Sequence, residues 1–386
     1  MIRGVPPCPC APAYEVDWPA LLDGCPWLGE LAGCVDDPRF HGEEDVLAHT
    51  RMVAEELVRL AGWRALPEPQ RESLFAAALL HDLGKPATRR VDPDGRIGTP
   101  GHARRGSILT RITLWKRDVP FEVREEIAAL VRHHMVPGHL LQRDRPERRA
   151  IEVSQVVRCD LLSLLAEADA LGRKCDDRQR LLDEVELFRD CCRELGCYDG
   201  PRRFGCASAR YLYFTSLDRH PDAPAPEGFV TEVVVMSGLP GAGKDTWIRK
   251  NLAGWPVVSL DAIRQRMGIR PTAPQGPIRD AARKLAKEHL RARRPFVWNA
   301  TNVSRQMRAE CIGLFANYGA RVRIVYVEAG YEQLGQQNSG RRDEVPGAVI
   351  EKLLERWEVP DVTEAHQVDW IVAPASRAPP ARGGRR

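Results

Sequence analysis

Apolar residues recur at helical spacing through the first half of the chain. This pattern predicts helices over Val46–Leu60, Arg71–Leu80, Phe121–Val131 and Ile151–Leu171. The opening residues 1–17 lack such a repeat, and we expect them to be disordered. Leu217–Gly228 is rich in proline and polar residues, which is typical of a linker. The sequence therefore predicts an all-α domain over 18–216, followed by a linker at 217–228.

The pattern changes after the predicted linker. Short β-branched and aromatic runs now alternate with helical stretches, and the predicted strands are Val233–Met236, Val257–Leu260, Phe296–Trp298, Val322–Val327 and Trp370–Val372. Such alternation favours an α/β domain with a parallel sheet, which we place at 229–374. The residues 375–386 are mostly Pro, Gly, Ala and Arg without apolar periodicity, and we expect a disordered tail.

Length and composition agree with two domains and add limits on the environment. A chain of 386 residues exceeds one typical core, and a net charge of +4 alone does not indicate nucleic-acid binding. No apolar run approaches the roughly 20 residues of a membrane span, and no signal peptide is visible. Eleven cysteines without a secretory context suggest reduced thiols in a cytoplasmic protein. Four of them cluster without paired spacing, either as helix-face thiols or as a zinc site: Cys191, Cys192, Cys197 and Cys206.

A glycine-rich loop directly follows the first predicted strand of the second domain. The segment GLPGAGKDT runs from Gly238 to Thr246 and leads into a predicted helix. Its backbone N–H groups and the helix N-terminus can surround a polyphosphate, while Lys244 supplies positive charge. The predicted nucleotide-binding residues are Gly238, Gly241, Ala242, Gly243, Lys244, Asp245 and Thr246. Asp245 stands where a Ser or Thr usually binds Mg²⁺, so either Asp245 or Thr246 is the candidate metal contact.

Histidines and aspartates form an ordered set in the first domain. The set comprises His49, the doublet His81-Asp82, His102, the doublet His133-His134, and Asp169. Imidazole and carboxylate ligands suit divalent cations, and a carboxylate such as that of Asp82 can bridge two of them. Asp160 is a rival for the last position.

This order of residues resembles the HD superfamily of metal-dependent phosphohydrolases over about 40–190. The resemblance implies that His49, His81, Asp82 and Asp169 hold one metal. It also implies a second metal on Asp82, His102 and one or both of the histidines His133 and His134. Lys85 would lie near the phosphate of the substrate. Mn, Ni, Co, Cu or Zn are the expected metals.

The second domain carries further candidate residues for phosphoryl transfer. Asp261 follows the second strand and can accept a hydroxyl proton, or it can cap the next helix; Arg264 lies one turn later. Arg341 and Arg342 belong to a predicted arginine-bearing lid, with a solvated basic face as the alternative.

Together with SLDAIR and NATN, the loop and the lid resemble the 5′-hydroxyl polynucleotide kinase branch of P-loop kinases over about 230–374. This resemblance implies Asp261 as general base, Arg264 on a phosphate of the acceptor, and Lys244 with Arg341 on the phosphates of ATP or another NTP, bound with Mg²⁺. Asn299 replaces an acidic residue that related kinases often carry.

The two halves together resemble a bacterial bifunctional end-healing family. That resemblance implies phosphorylation of a 5′-OH end by one domain and removal of a 2′-, 3′- or 2′,3′-cyclic phosphate by the other, so that RNA or DNA ends become substrates for a ligase. The alternatives are an HD nucleotidase fused to a small-molecule kinase, or a metal-loaded but inactive signalling protein. Basic stretches such as 284–294 either follow a nucleic-acid backbone or form a solvated helix face.

Overall fold

The computed structural model of the protein describes residues 2–37, 42–225, 228–270, 273–340 and 344–373. The predicted lid residues Arg341 and Arg342 and the predicted disordered tail at 375–386 lie outside these ranges.

The first half of the chain is helical. Its helices are α1 (Trp18–Gly24), α2 (Val46–Arg59), α3 (Ala61–Arg64), α4 (Glu68–Leu80), α5 (Lys85–Thr88), α6 (His102–Trp115), α7 (Phe121–His133), α8 (Pro146–Ser154), α9 (Cys159–Leu171), α10 (Arg178–Glu194) and α11 (Ala207–Thr215). Two short 3₁₀ helices lie at Pro26–Leu31 and Pro137–His139, and a small hairpin pairs β1 (Arg90–Val91) with β2 (Ile97–Gly98). The apolar faces of α2, α4, α7 and α9 meet in one core.

Two expectations for this half differ from the structure. The predicted helix Ile151–Leu171 is two helices, α8 and α9, because the buried Val157 continues the apolar pattern through the turn between them. Residues 2–17, expected to be disordered, lie along the helical core, where Val5 and Tyr14 pack against it. These residues run along the core as an irregular segment, so their sequence has no helical repeat. The prediction of order relied on such repeats and therefore missed them.

The second half is the predicted α/β domain. Its strands are β3 (Thr231–Ser237), β4 (Val257–Ser259), β5 (Phe296–Asn299), β6 (Ala320–Glu328) and β7 (Gln367–Val372). Its helices are α12 (Lys244–Asn251), α13 (Leu260–Met267), α14 (Gly276–Arg291), α15 (Arg305–Asn317), α16 (Tyr331–Ser339) and α17 (Gly347–Leu354). All strand pairs are parallel, in the order β4-β5-β3-β6-β7. The predicted fold class is confirmed, since each predicted strand forms.

The register of three neighbouring strands brings their following loops together. Val235 of β3 lies beside Trp298 of β5, which lies beside Val258 of β4. Gly238 and Asp261 each come three residues after this row, so both lie beyond the same edge of the sheet. Neighbouring strands are about 4.8 Å apart, which puts the ends of β3 and β4 about 10 Å apart. In α/β sheets, this carboxyl edge is where ligands bind.

The two halves are packed against each other rather than joined only by a linker. Trp115 of α6 is buried among kinase-domain residues, and its Nε1 donates to the carbonyl oxygen of Ala329 at 3.1 Å. Tyr211 of α11 belongs to the core of the sheet, with its ring 4.1 Å from that of His366. The described part of the expected linker is held in place as well, for example by an ion pair of 3.0 Å between Asp218 and Arg145. The expected boundary at 216–217 therefore differs from the structure, in which α11 already packs on the second domain.

No helix in the described ranges is both long and apolar enough to cross a membrane.

Candidate metal centre and nucleotide-binding loop

Five helices bring the predicted metal ligands of the first half to one place. α2 supplies His49, α4 ends at His81 with Asp82 next to it, and α9 supplies Asp169 near its C-terminus. α6 begins at His102, and His134 directly follows α7. A close approach at Gly84 makes this possible, because a Cβ there would lie 2.1 Å from the backbone oxygen of His102.

The ligand atoms form two groups that meet at Asp82. In the first group, His49 Nε2 lies 3.1 Å from Asp169 Oδ1 and 3.3 Å from His81 Nε2. His81 Nε2 lies 3.1 Å from Oδ2 of Asp82. All of these side chains are buried.

The second group uses the other carboxylate oxygen of Asp82. His102 Nε2 and His134 Nε2 lie 3.6 and 3.8 Å from Asp82 Oδ1 and 3.4 Å from each other. Asp82 therefore directs one oxygen to each group. This is the arrangement of a carboxylate that bridges two cations.

The hydrogen bonds made by Nδ1 show which nitrogen of each histidine ring is free to bind a metal. Nδ1 of His81, His102 and His134 lies 2.8 to 2.9 Å from a backbone carbonyl oxygen, which can only accept a hydrogen bond. Nδ1 therefore carries the proton, and Nε2 presents a lone pair to the centre. Burial and the neighbouring His81 ring lower the pKa of His134 to about 3, so that its imidazole is neutral and able to act as a ligand.

The residues present fit divalent cations. Nε2 lone pairs of His102 and His134 face each other at 3.4 Å, and a positive ion between such groups removes the repulsion. Asp82 Oδ1 is buried, and no hydrogen-bond donor of the described residues reaches it, which is costly for a carboxylate unless a cation compensates it. The donor set of imidazole and carboxylate suits transition metals and gives no preference among them.

Three further residues hold the ligands in position. Lys85, predicted near the substrate phosphate, lies with its Nζ 2.8 Å from Asp82 Oδ2 and 2.6 Å from Asp36. Although burial raises the pKa of Asp82, the adjacent His81 ring and the Lys85 ammonium group hold it well below its usual value. Arg173 binds both oxygens of Asp169, at 3.1 and 2.7 Å. Glu43 lies 3.4 Å from His49 Nδ1. Sequence reasoning missed Arg173 and Glu43, because no motif marks them.

Two candidate ligands do not reach the centre. His133 points elsewhere, with its Nδ1 3.2 Å from Arg149 Nη2, so the structure places only His134 of the doublet in the second group. One step along a helix turns the side chain by about 100°, which here directs His133 to Arg149 and His134 to the centre. The rival Asp160 pairs with Arg158 at the opposite end of α9 from Asp169.

The predicted cysteine cluster has a different membership. Buried sulfur atoms of Cys192 and Cys197 lie within 4.8 Å of that of Cys159, which comes from α9. Cys206 is exposed and is instead the N-cap residue of α11. The zinc alternative stays a prediction.

The glycine-rich loop adopts a tight turn between β3 and α12. Gly238 has φ 141°, and a Cβ there would lie 2.2 Å from the carbonyl oxygen of Val327 in the neighbouring strand. Gly243 has φ 99° directly before α12 begins at Lys244. Lys244 Nζ lies over the loop, donating to the carbonyl oxygens of Gly238 and Leu239 at 2.8 and 2.9 Å. The loop thus has the glycine conformations, the lysine and the helix N-terminus that a polyphosphate site requires.

The two residues that depart from the usual kinase pattern contact each other. Asn299 Nδ2 donates to Asp245 Oδ1 at 2.7 Å. Thr246 is exposed, and its hydroxyl accepts from Arg249 at 3.2 Å. An amide at position 299 can donate to Asp245, whereas a carboxylate there would repel it. The two substitutions are therefore physically linked.

Asp261 and Arg264 form an ion pair on the first turns of α13. Ser259 caps this helix by accepting from the backbone N–H of Ala262 at 3.2 Å, so Asp261 does not serve as the N-cap. The Asp261 side chain is 63% exposed and can meet a substrate hydroxyl. Arg264 Nε also donates to Gln275 at 3.0 Å, which orients the guanidinium.

Comparison with known proteins divides the chain in the same way. A family model described as an HD domain matches residues 46–172, and a model described as an AAA domain matches residues 233–360.

Three characterised relatives each match part of the chain. The CC-adding tRNA nucleotidyltransferase of Thermus thermophilus is 40% identical over 29% of this chain and 25% of that protein. The A-adding tRNA nucleotidyltransferase of Deinococcus radiodurans is 34% identical over 42% of this chain and 32% of that protein. The L-seryl-tRNA(Sec) kinase of Methanococcus maripaludis is 23% identical over 34% of this chain and 58% of that protein. The chain therefore spans less than two thirds of each of these relatives.

The family models and the geometry agree on the organisation of this protein: it is an enzyme that joins an HD domain, with grouped metal-ligand side chains, to a P-loop kinase-like domain.

Proposed function

We propose that this protein heals nucleic-acid ends. The kinase domain transfers a phosphoryl group from ATP or another NTP to a 5′-OH end. The HD domain removes a 2′- or 3′-phosphate, including one formed from a 2′,3′-cyclic phosphate. The products are ends that a ligase can join.

The observation that carries this proposal is the presence of two separate candidate sites for phosphate chemistry in one chain whose two halves pack together. One is the pair of ligand groups around Asp82, and the other is the edge of the sheet with Lys244 and Asp261. The names of the relatives add support, since those related to the HD domain are tRNA nucleotidyltransferases and one related to the kinase domain is an L-seryl-tRNA kinase.

In the kinase domain, each candidate residue has a distinct task. Asp261 would accept the proton of the attacking 5′-hydroxyl, and Arg264, its ion-pair partner, would hold a phosphate of the acceptor strand. Lys244 and the backbone N–H groups of the loop bind the donor phosphates. Mg²⁺ would compensate the charge on these phosphates.

In the HD domain, one divalent cation would be held by His49, His81, Asp82 and Asp169. A second would be held by Asp82, His102 and His134. Such ions supply Lewis acidity at a phosphoryl group. Arg173 and Lys85 keep the carboxylates of Asp169 and Asp82 ionised and oriented. The hydrogen bonds that Nδ1 of His81, His102 and His134 donates to backbone carbonyl oxygens hold each Nε2 toward the centre.

A two-ended assay tests the proposal. A short RNA with a 5′-OH and a 2′,3′-cyclic phosphate is incubated with the protein, ATP, Mg²⁺ and Mn²⁺ or Ni²⁺, and both ends are followed on gels. We expect the 5′ end to gain phosphate and the 3′ end to lose it. If mononucleotides and small alcohols react while both strand ends stay unchanged, the protein is instead a nucleotidase fused to a small-molecule kinase.

A further inference from the structure

The nucleotide-binding loop has a carboxylate where such loops usually have a hydroxyl. In the general pattern, the residue after the lysine is Ser or Thr, and it binds Mg²⁺ together with an acidic residue elsewhere in the domain. Here the residue after Lys244 is Asp245, and Asn299 replaces the acidic residue that related kinases often carry. The negative charge has therefore moved from one position to the other, and the total charge of the pair is unchanged.

A direct contact joins the two positions. Asn299 ends β5, the strand next to β3, and is only 8% exposed. Its Nδ2 donates to Oδ1 of Asp245 at 2.7 Å. No side-chain donor of the described residues reaches the other oxygen, Oδ2, and no Lys or Arg among them forms an ion pair with Asp245. A carboxylate in a first helical turn is favourable in itself, but that effect does not need an orienting amide. The contact therefore orients the carboxylate and leaves Oδ2 for a ligand.

Thr246, the rival for the metal contact, is directed elsewhere. Its exposed hydroxyl accepts from Nη2 of Arg249, which lies almost one turn further along α12, at 3.2 Å. One residue along a helix turns the side chain by about 100°, so Asp245 and Thr246 leave α12 in different directions. Because Asn299 ends a strand of the sheet, its contact with Asp245 directs the Asp245 side chain to the carboxyl ends of the strands.

The surroundings of Asp245 suit a cation that is bound together with a phosphate. Lys244, the preceding residue, lies over the loop with its Nζ on the carbonyl oxygens of Gly238 and Leu239. Mg²⁺ prefers oxygen ligands and is commonly bound by one or two carboxylates together with substrate phosphates. The single carboxylate of Asp245 fits this requirement. Without the cation, the same carboxylate would repel the phosphates of a nucleotide.

We propose that Asp245, oriented by Asn299, binds the Mg²⁺ that accompanies the donor nucleotide. The same carboxylate then makes nucleotide binding depend on the cation, because it attracts the Mg²⁺ complex and repels the metal-free nucleotide. Asp245 therefore determines which form of the nucleotide the loop accepts. The inference rests on the proposed function for the presence of ATP or another NTP in the loop, and it does not depend on the acceptor.

Binding of ATP without an acceptor tests this assignment. Isothermal titration calorimetry with the full-length protein gives the Kd of ATP in excess Mg²⁺ and, separately, in EDTA. We expect Asp245→Asn to weaken binding in Mg²⁺ and to strengthen it in EDTA. Each change should be about fivefold, which corresponds to one interaction between unit charges about 4 Å apart in water. These opposite changes distinguish a metal ligand from a residue that only supports the loop, because the loss of such a residue would weaken both.

Two variants serve as references. Asp280→Asn removes another exposed carboxylate, on α14, and should match the wild type in both conditions. Lys244→Ala identifies the part of the calorimetric signal that comes from the loop. Because Asp245 and Asp280 are both exposed, neither substitution to Asn should unfold the protein, which a thermal melt checks.

The exchange of charge between the two positions gives a second readout. Asp245→Ser should weaken binding of ATP in Mg²⁺. Adding Asn299→Asp to this variant restores the usual kinase pattern and should recover most of the lost affinity. A double variant that binds no better than Asp245→Ser would overturn the link between the two positions.

The remaining outcomes separate this inference from the proposed function. If Asp245→Asn weakens binding equally in Mg²⁺ and EDTA, or if Thr246→Val shows the opposite changes instead, Asp245 is not the ligand. If the wild type binds no ATP at the loop, the proposed kinase function fails together with the inference. If ATP binds as predicted but no 5′-OH strand is phosphorylated, the assignment of Asp245 stands and the proposed acceptor is wrong.

Discussion

Arg124 and Glu328 form a buried ion pair across the two domains, with Nη1 2.8 Å from Oε1 and Nη2 2.7 Å from Oε2. Arg124 lies on α7, whose far end leads to His134. Glu328 ends β6, the strand beside the nucleotide-binding loop, and also accepts from the hydroxyl of Tyr326 at 2.5 Å. Although burial lowers it, the charges of Glu125 and Glu328 raise the pKa of the Arg124 guanidinium above its ordinary value. This pair joins the helix of the metal centre to the sheet of the kinase.

Removing one member of this pair should destabilise the protein strongly. Glu328→Gln leaves the buried Arg124 with only Glu125 as a counter-charge, which Arg111 also binds, and breaking a buried ion pair costs up to about 3–5 kcal/mol. Thermal and urea unfolding should therefore show a large loss. Glu310→Gln, which breaks the exposed pair with Arg283, should change stability by less than about 1 kcal/mol. Equal effects of the two substitutions would mean that the domains are not held together as the structure shows.

Asp82→Asn should remove metal from the HD domain. The substitution deletes the charge that both ligand groups share, so phosphate removal should be lost while 5′ phosphorylation continues. Metal retained after loading with Mn²⁺ or Ni²⁺ and dialysis can be measured by mass spectrometry. Asp160→Asn, at the other end of α9, is the matched control and should retain metal and activity. Full metal retention in Asp82→Asn would contradict the bridging role.

Asp261→Asn should stop phosphoryl transfer without preventing ATP binding. Losing a general base lowers the rate by about 10²–10⁴-fold, and the loop with Lys244 stays intact. Kinetics of 5′ labelling and a separate ATP-binding assay distinguish the two effects. The exposed Asp280 of α14 provides the control substitution Asp280→Asn, which should behave like the wild type. A normal rate in Asp261→Asn would assign the base to another residue.

The metal-free protein should lose stability in acid partly through Asp169. Burial raises the pKa of this carboxyl, but Arg173 and His49 outweigh it and hold the pKa well below the ordinary 3.8. As the pH falls, this carboxyl is therefore protonated in the unfolded chain at a higher pH than in the folded protein. The stabilisation by the ionised Asp169 is present above about pH 4 and declines as the pH falls further. Urea unfolding at pH 6 and pH 3.5 should show a smaller decline in Asp169→Asn than in the wild type. An identical decline would show that Asp169 is not paired.

The sequence predicted the sheet, and it also predicted which histidine and aspartate side chains lie together, because both depend on local signals. Strands such as Val233–Met236 are short β-branched runs, and His81-Asp82 stands at the end of an apolar helix. Side-chain direction was harder to predict, since the doublet His133-His134 gives no sign of which ring faces inward. Partners distant in sequence, such as Arg173 for the metal centre and Glu328 for Arg124, carry no motif.

Ligation provides the most direct test of end healing, because it requires both ends to be repaired. An RNA with 5′-OH and 2′,3′-cyclic phosphate ends is treated with the protein and then with a ligase that joins only 5′-phosphate to 3′-OH. We predict sealed product with the wild type, none with Lys244→Ala or Asp82→Asn alone, and sealed product again when these two variants are mixed. No sealing by the wild type, or by the mixture of two folded variants, would contradict the account.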